Sequence, residues 1–241
     1  MLRFGDLELG TIPRVAVALS DTEVREDAKR VRESVDVFEL RIDRFQRHQP
    51  RFVAEVAAAA AVHGVALLGT VRAHDEGGAV PLSDTERLAI FRALTPAVDA
   101  IDIELHAPIR TEVIELCRRH HKPVIVSFHD FAGTPSYDEL VRLIETGKEA
   151  GADVVKLATT ATSRAEVDRL LGVLRAHRDQ QLILIAMGAE GLASRVFFPL
   201  FGSLLTWGFL KTQGAPGQLP LDELIDELCR YAPDFARRHR R

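Results

Sequence analysis

A lysine stands where the chain otherwise reads as a buried β-strand. Lys156 lies among Val154, Val155, Leu157 and Ala158 in the stretch Gly151 to Thr160. Burying an unpaired ammonium is expensive, so such a group either pairs or gives up its proton. A deprotonated amine in a low-dielectric pocket attacks carbonyls, which is Schiff-base chemistry. A strand-end lysine paired with a carboxylate for structure is the other reading, and this stretch alone weighs the two equally. His129 closes the preceding strand pattern, where an imidazole can move protons near neutral pH or serve as a structural hydrogen-bonding group. Glu76 follows in Arg72-Ala73-His74-Asp75-Glu76-Gly77-Gly78. The paired glycines permit a tight turn that folds it back over the same region; an exposed loop carboxylate is the alternative.

These groups need a scaffold, and the pattern around them supplies one. A short hairpin, Leu2–Phe4 and Leu7–Leu9 around Gly5-Asp6, opens the chain. Strand candidates then follow at Arg14–Leu19, Val37–Asp43, Ala66–Arg72, Ala100–Leu105, Val124–His129, Val154–Thr159, Leu182–Met187 and Leu204–Leu210. Helical patterns fill the intervals, at Thr22–Ser34, Arg51–His63, Asp84–Thr95, Arg110–His120, Tyr137–Ala150, Arg164–His177, Ala193–Leu200 and Leu221–Tyr231. Ser83 and Ser136 cap helix starts, and Gly64, Pro123 and Gly151 mark stops. Repeats near the ~30 residues of a βα unit predict an α/β fold, a (β/α)8 TIM barrel with the hairpin closing its floor. An open doubly wound sheet is the alternative, but it has no use for such a plug. No linker divides residues 1–241, so one domain is expected.

Composition narrows the function classes. The 241 residues carry a net charge of −4 with mixed signs, which argues against a broad nucleic-acid footprint. The basic run Arg237 to Arg241 follows a helical pattern and reads as a solvated tail suited to the helix dipole. Cys117 and Cys229 show no C-x-x-C spacing, pointing to a reducing compartment without a metal knuckle. The longest apolar run, Val53 to Leu68, is broken by Glu55, His63 and Gly64. A soluble, cytoplasmic protein with no membrane partner is expected.

Strand parity then sorts the charges. In Phe38-Glu39-Leu40-Arg41-Ile42-Asp43 the apolar residues share one face and the charged ones the other. Barrel strands send one parity to the helices and the other inward, so Glu39, Arg41 and Asp43 are expected inside. The same holds for Asp102 and Glu104, for Ser127 with His129, and for Lys156 with Val154 and Ala158. Inward charges near the C-terminal strand ends are what an active site in this fold looks like. Adjacent strands are expected to hold His129 and Lys156 at one level. Glu39, Asp43, Glu104 and His129 make a metal site a rival. The cations Arg41, Arg72, Lys156 and Arg195 favour an anionic organic substrate gripped by arginine forks instead.

These motifs resemble the type I 3-dehydroquinate dehydratases almost end to end. The likeness rests on Glu39-Leu40-Arg41-Ile42-Asp43, Arg72 with Glu76-Gly77-Gly78, Ser127-Phe128-His129-Asp130-Phe131 and Lys156. It continues through Met187-Gly188, Ser194-Arg195, Phe201-Gly202-Ser203 and Ala215-Pro216-Gly217-Gln218. The resemblance implies dehydration of 3-dehydroquinate to 3-dehydroshikimate by a homodimer, with no metal and no cofactor. It implies that Lys156 forms the imine, that His129 acts as base and then acid, and that Glu76 orients it. Arg195 is implied as the clamp on the substrate carboxylate. Glu39, Arg41, Arg72 and Gln218 are implied as holders of ring hydroxyls. Met187, Gly214 and Ala215 complete the implied pocket, and Ala215 to Gln218 resembles a lid. Two departures stand out: Gly214 where some members carry serine, and Trp207 at a position associated with Phe or Tyr, read as refilling apolar volume. A Schiff-base aldolase acting on sugar phosphates and a non-catalytic small-molecule binder are the rival functions. Glu190 in Gly188-Ala189-Glu190-Gly191 is poor for phosphate.

Overall fold

Alternation of side chains gives every strand two faces, and this chain builds a separate core on each. The computed structural model describes residues 2–239. An antiparallel hairpin, β1 (Arg3–Phe4) and β2 (Leu7–Glu8), comes first. Eight parallel strands follow: β3 (Val15–Leu19), β4 (Val37–Arg41), β5 (Ala66–Thr70), β6 (Ala100–Glu104), β7 (Val124–Asp130), β8 (Val154–Thr160), β9 (Leu182–Met187) and β10 (Thr206–Phe209). The helices between them are α1 (Asp21–Glu26), α2 (Ala28–Val31), α3 (Pro50–Ala61), α4 (Asp84–Leu94), α5 (Arg110–Arg119), α6 (Tyr137–Glu149), α7 (Arg164–Ala176) and α8 (Ser194–Leu200). A two-residue strand, β11 (Leu219–Pro220), leads into α9 (Leu221–Tyr231) and α10 (Pro233–His239).

The parallel ladder runs β11-β10-β3-β4-β5-β6-β7-β8-β9 and curls into the (β/α)8 barrel. Among the described residues no ladder joins β9 to β10, where the sheet meets itself. The Leu204 N–H closes that seam on the Leu182 carbonyl at 2.9 Å. Ser203 Oγ adds a bond from the Leu184 N–H at 3.0 Å.

One parity of each strand faces the helices. Val15, Phe38, Leu40, Ile103, Val126, Leu157 and Leu184 belong to that outer core. The other parity fills the barrel, with Ala16, Val37, Leu68, Ala100, Ile125, Val154 and Ile183 as its apolar lower part. Phe4 of the hairpin is fully buried against this inner set, a burial worth roughly 1.5–3 kcal/mol. The hairpin thus plugs the floor, and the charged inward residues lie above it, toward the mouth.

The sequence expectation is wrong in several local places. The helix expected over Thr22–Ser34 breaks at Asp27, whose carboxylate is drawn to Lys211 at 2.7 Å and Arg30 at 3.2 Å. The strand expected to reach Asp43 stops at Arg41, and Ile42–Arg44 forms a 3-10 turn. Asp43 causes this: its buried carboxylate takes the Arg41 fork (2.8 Å twice) and the Ala79 N–H at 3.0 Å, so it ties loops together instead of facing the pocket. The C-terminal run is not simply a solvated tail, because Arg238 turns back to pair with Asp36 beside Arg14; Arg240 and Arg241 lie outside the described residues. No helix among the described residues is long and apolar enough to cross a membrane.

Candidate active site

Lys156 points inward from the middle of β8, and its side chain is only 7% exposed. It is not left among apolar neighbours. Nζ stands 3.4 Å from Asp102 Oδ2 and 4.5 Å from the centre of the Trp207 ring. Both contacts attract a cationic nitrogen, and an iminium at the same place keeps that charge. Asp102 also accepts from Arg72 Nη2 and Ser127 Oγ, each at 2.7 Å. Burial alone would raise its carboxyl, but Arg72 and Lys156 outweigh that and hold it below the ordinary range.

Arg72 follows β5 and organises this side of the barrel. Its Nη1 donates to Glu104 at 2.9 Å and to Ser127 Oγ at 2.8 Å, so three of five donors are committed once Asp102 is included. Burial opposes the charge, but the two carboxylates win and raise its pKa above the usual arginine value. Glu104 is held in turn by Arg87. Glu39 on β4 accepts from Thr70 Oγ1 at 2.8 Å and Trp207 Nε1 at 2.9 Å. Trp207 is therefore a donor and a cation platform, and the expectation that it merely refills volume is corrected.

The turn after β5 brings Glu76 back across the mouth. Gly77 caps it at φ +88°, a conformation that disfavours other residues, and a side chain on Gly78 would stand 2.3 Å from the Arg72 carbonyl oxygen. Arg41 donates to the Gly77 carbonyl at 3.3 Å. Glu76 Oε2 consequently lies 3.0 Å from the His129 N–H and 2.9 Å from His129 Nδ1. A carboxylate there selects the tautomer protonated on Nδ1, leaving Nε2 with a lone pair and no hydrogen bond among the described residues. Burial, reinforced by Arg72, Lys156 and Arg41, keeps the imidazole pKa well below 6.5. Burial also lifts Glu76 to about 7 despite Arg72. A neutral imidazole is thus available as a base near pH 7.

The register corrects one expectation. Ser127 pairs with Lys156, and His129 pairs with Ala158. His129 therefore sits one pleat nearer the mouth than the lysine, not level with it. That offset, about 6–7 Å along the strand, leaves room for a small ring between amine and imidazole.

Arg195, in the first turn of α8, differs from Arg72. It is 3% exposed, donates to the Pro216 carbonyl at 3.2 Å and leaves Nε without a partner. Burial alone pulls it down to about 10. A charge this isolated favours an incoming anion. The loop it touches is already folded over the mouth: the Gly188 N–H donates to the Pro216 carbonyl at 3.2 Å, the Gly214 N–H to Gln218 Oε1 at 2.8 Å, and Gln218 Nε2 to the Gly208 carbonyl at 3.0 Å.

One cavity at the mouth gathers the residues singled out from the sequence. Lys156, His129, Glu76, Glu39, Arg41, Arg72, Met187, Arg195, Gly214, Ala215 and Gln218 all line it. The four residues considered as metal ligands are engaged separately, by Trp207 and Thr70, by Arg41, by Arg72 and Arg87, and by Glu76. Among the described residues no three His, Cys, Asp or Glu side chains converge as a metal site. Sequence reasoning missed Asp102 as a partner of Lys156, although parity placed it inside. It missed Arg44 altogether, because the 3-10 turn breaks the alternation that would have sent Arg44 outward.

Known proteins resemble this chain in sequence and fold. The model of the type I 3-dehydroquinase family matches residues 15–229. A 3-dehydroquinate dehydratase from Thermodesulfovibrio yellowstonii is 30% identical over 218 residues, covering 90% of this chain and 95% of its own. The crystal structure of the 3-dehydroquinate dehydratase of Aquifex aeolicus is 31% identical with a TM-score of 0.83, over 91% of this chain and 99% of its own. The type I enzyme of Clostridium difficile, solved with covalently modified comenic acid, is 28% identical with a TM-score of 0.87, covering 95% and 96%. On its fold and on a match spanning most of its length, this chain belongs to the type I 3-dehydroquinase family.

Proposed function

We propose that this chain dehydrates 3-dehydroquinate to 3-dehydroshikimate in the shikimate pathway, through a Schiff base on Lys156. The observation that carries the reading is the pairing of a buried amine with a neutral imidazole whose free Nε2 faces the same cavity. Lys156 attacks the ring ketone and water leaves, giving an iminium that acidifies the adjacent carbon. His129 Nε2 removes that proton. The enamine expels the β-hydroxyl as His129 returns the proton to it, and water releases the product. Glu76 holds the imidazole in the productive tautomer. Lys156 gives up its ammonium proton before it attacks, and Asp102 and the Trp207 ring then stabilise the iminium, the state in which the nitrogen is again positive.

Arg195 binds the substrate carboxylate, because it is the buried cation without an acidic partner. Glu39, Arg41 and Gln218 face ring hydroxyls, and Arg72 contributes its two uncommitted donors. Met187, Gly214 and Ala215 shape the wall. The 214–218 segment excludes water while the iminium exists. The donor set needs no metal or cofactor. A sugar-phosphate aldolase fits less well: the Gly188 and Gly191 N–H groups are spent on the Pro216 and Gly188 carbonyls, so this glycine loop is not a phosphate cradle. The same reading makes the chain one catalytic domain acting as a cytoplasmic homodimer, testable by fractionation and sedimentation.

Incubation with 3-dehydroquinate should give the ultraviolet absorbance of a conjugated enone carboxylate. Lys156→Ala should abolish it, and borohydride should fix substrate mass on Lys156 in the wild type. His129→Ala should still be trapped but turn over roughly 10²–10⁴-fold more slowly. Adduct on another side chain, or none, overturns the mechanism.

A further inference from the structure

The arginines lining the cavity divide by charge pairing. Arg41 is forked to Asp43, and Arg72 is held by Asp102 and Glu104. Arg195 has no carboxylate partner within 4 Å among the described residues, and neither does Arg44, which makes only a 3.4 Å bond to the Gly214 carbonyl. Both guanidiniums therefore touch the same loop, two residues apart. Arg44 is half-buried on the 3-10 turn after β4. Burial and its neighbour Arg41 pull its pKa below the ordinary arginine value, so its charge is held at a cost that an anion would relieve.

Glycine at 214 leaves the Arg44 guanidinium room at its present position. A Cβ there would stand 3.2 Å from Arg44 Nη2, 3.3 Å from Nη1 and 3.2 Å from Gln218 Oε1. A larger residue at 214 crowds the guanidinium, and glycine admits it. We propose that Arg44 is a second carboxylate-binding arginine, closing on the substrate's carboxylate opposite Arg195 and taking the place of a side chain at position 214. The assignment rests on the dehydratase reading and adds a residue to its substrate grip. It makes the Gly214 departure one half of an exchange, a side chain given up at one position and a guanidinium supplied from another.

Two measurements test it. Arg44→Gln should raise KM for 3-dehydroquinate roughly tenfold or more while kcat stays within about threefold. Binding of quinate, a polyhydroxylated cyclohexanecarboxylate without the ketone, should weaken similarly when followed by tryptophan fluorescence. Quinate binding needs no turnover, so it decides the role of Arg44 even if the dehydratase assay fails. Gly214→Ser should raise KM when Arg44 is present, and should cost nothing or lower KM in an Arg44→Ala background. Unfolding midpoints of all variants should match the wild type, since Arg44 makes no strong internal bond. Unchanged KM and quinate affinity in Arg44→Gln, or a serine effect that is the same with and without Arg44, overturns the proposal.

Discussion

The two sides of the barrel mouth treat buried charge in opposite ways. On the β5–β8 side, Arg72, Asp102, Glu104, Ser127 and Lys156 form a linked set in which every charge has a partner. On the seam side, between β9 and β10, Arg195 is equally buried, at 3% exposure like Arg72, yet faces only a carbonyl. Burial is the same, and the pKa shifts run in opposite directions. A paired network fixes the position of Lys156, as its proposed role as nucleophile requires. An unpaired cation stores affinity for a ligand that supplies the missing charge. The seam, joined by single bonds instead of a ladder, is also where the loop over the mouth is anchored.

Exchanging the two arginines for leucine tests this contrast most severely. Arg72→Leu removes the cation shared by Asp102 and Glu104, leaving Asp102 to Lys156 and Ser127 and Glu104 to Arg87, and breaking a buried pair of this kind costs about 3–5 kcal/mol. Arg195→Leu removes a charge that the fold holds at a cost, so stability should be unchanged or higher. The sign follows from its lowered pKa: the charged form is disfavoured in the folded state at pH below about 10. Urea unfolding at pH 7 separates the cases. Similar losses in both variants would erase the distinction between the two sides.

Much of the paired side was legible in the sequence, because strand alternation states which residues face inward. Glu39, Glu104, Ser127, His129 and Lys156 all follow that parity. Alternation does not state stagger between strands, so the one-pleat offset of His129 and the reach of Asp102 to Lys156 were invisible. The seam side was less legible for a different reason. Arg44 depends on a 3-10 turn set by the distant Ala79 N–H and by the Arg41 fork on Asp43. The 214–218 loop is held by contacts to Gly188, Arg195 and Arg44 that no local pattern encodes. Long-range donors decide these positions, and a single sequence does not display them.

The paired side has its own cost, and pH exposes it. Glu76 titrates near 7 in the folded state against 4.5 ordinarily, so the native protein holds that proton more tightly than the unfolded chain. Its penalty is absent below pH 4.5, grows between 4.5 and 7, and is complete above 7. Glu76→Gln should therefore gain on the order of 1–3 kcal/mol at pH 8 and nothing at pH 4, while kcat falls because the imidazole loses its carboxylate acceptor. Thermal melts at the two pH values check the first part. A gain of equal size at both would mean that Glu76 is not strained by ionisation.

Trp207 sits on the boundary and gives the smallest but most informative effect. It belongs to β10 on the seam side, yet its N–H goes to Glu39 and its ring lies against Lys156. Trp207→Phe keeps an aromatic face, weakens the cation contact and removes one of two side-chain donors to a buried carboxylate. A bond of that kind is worth about 1 kcal/mol net, so kcat/KM should fall roughly three- to tenfold. If Glu39 serves the substrate hydroxyls, the loss should appear in KM. A loss confined to kcat would instead join Trp207 to the network around the nucleophile. Because it is the chain's one tryptophan, its emission in the wild type reports directly on the nitrogen beside it. Substrate should change that emission in the wild type, and borohydride should fix the change. Lys156→Ala should retain only the part due to binding, which measures what each side of the mouth contributes.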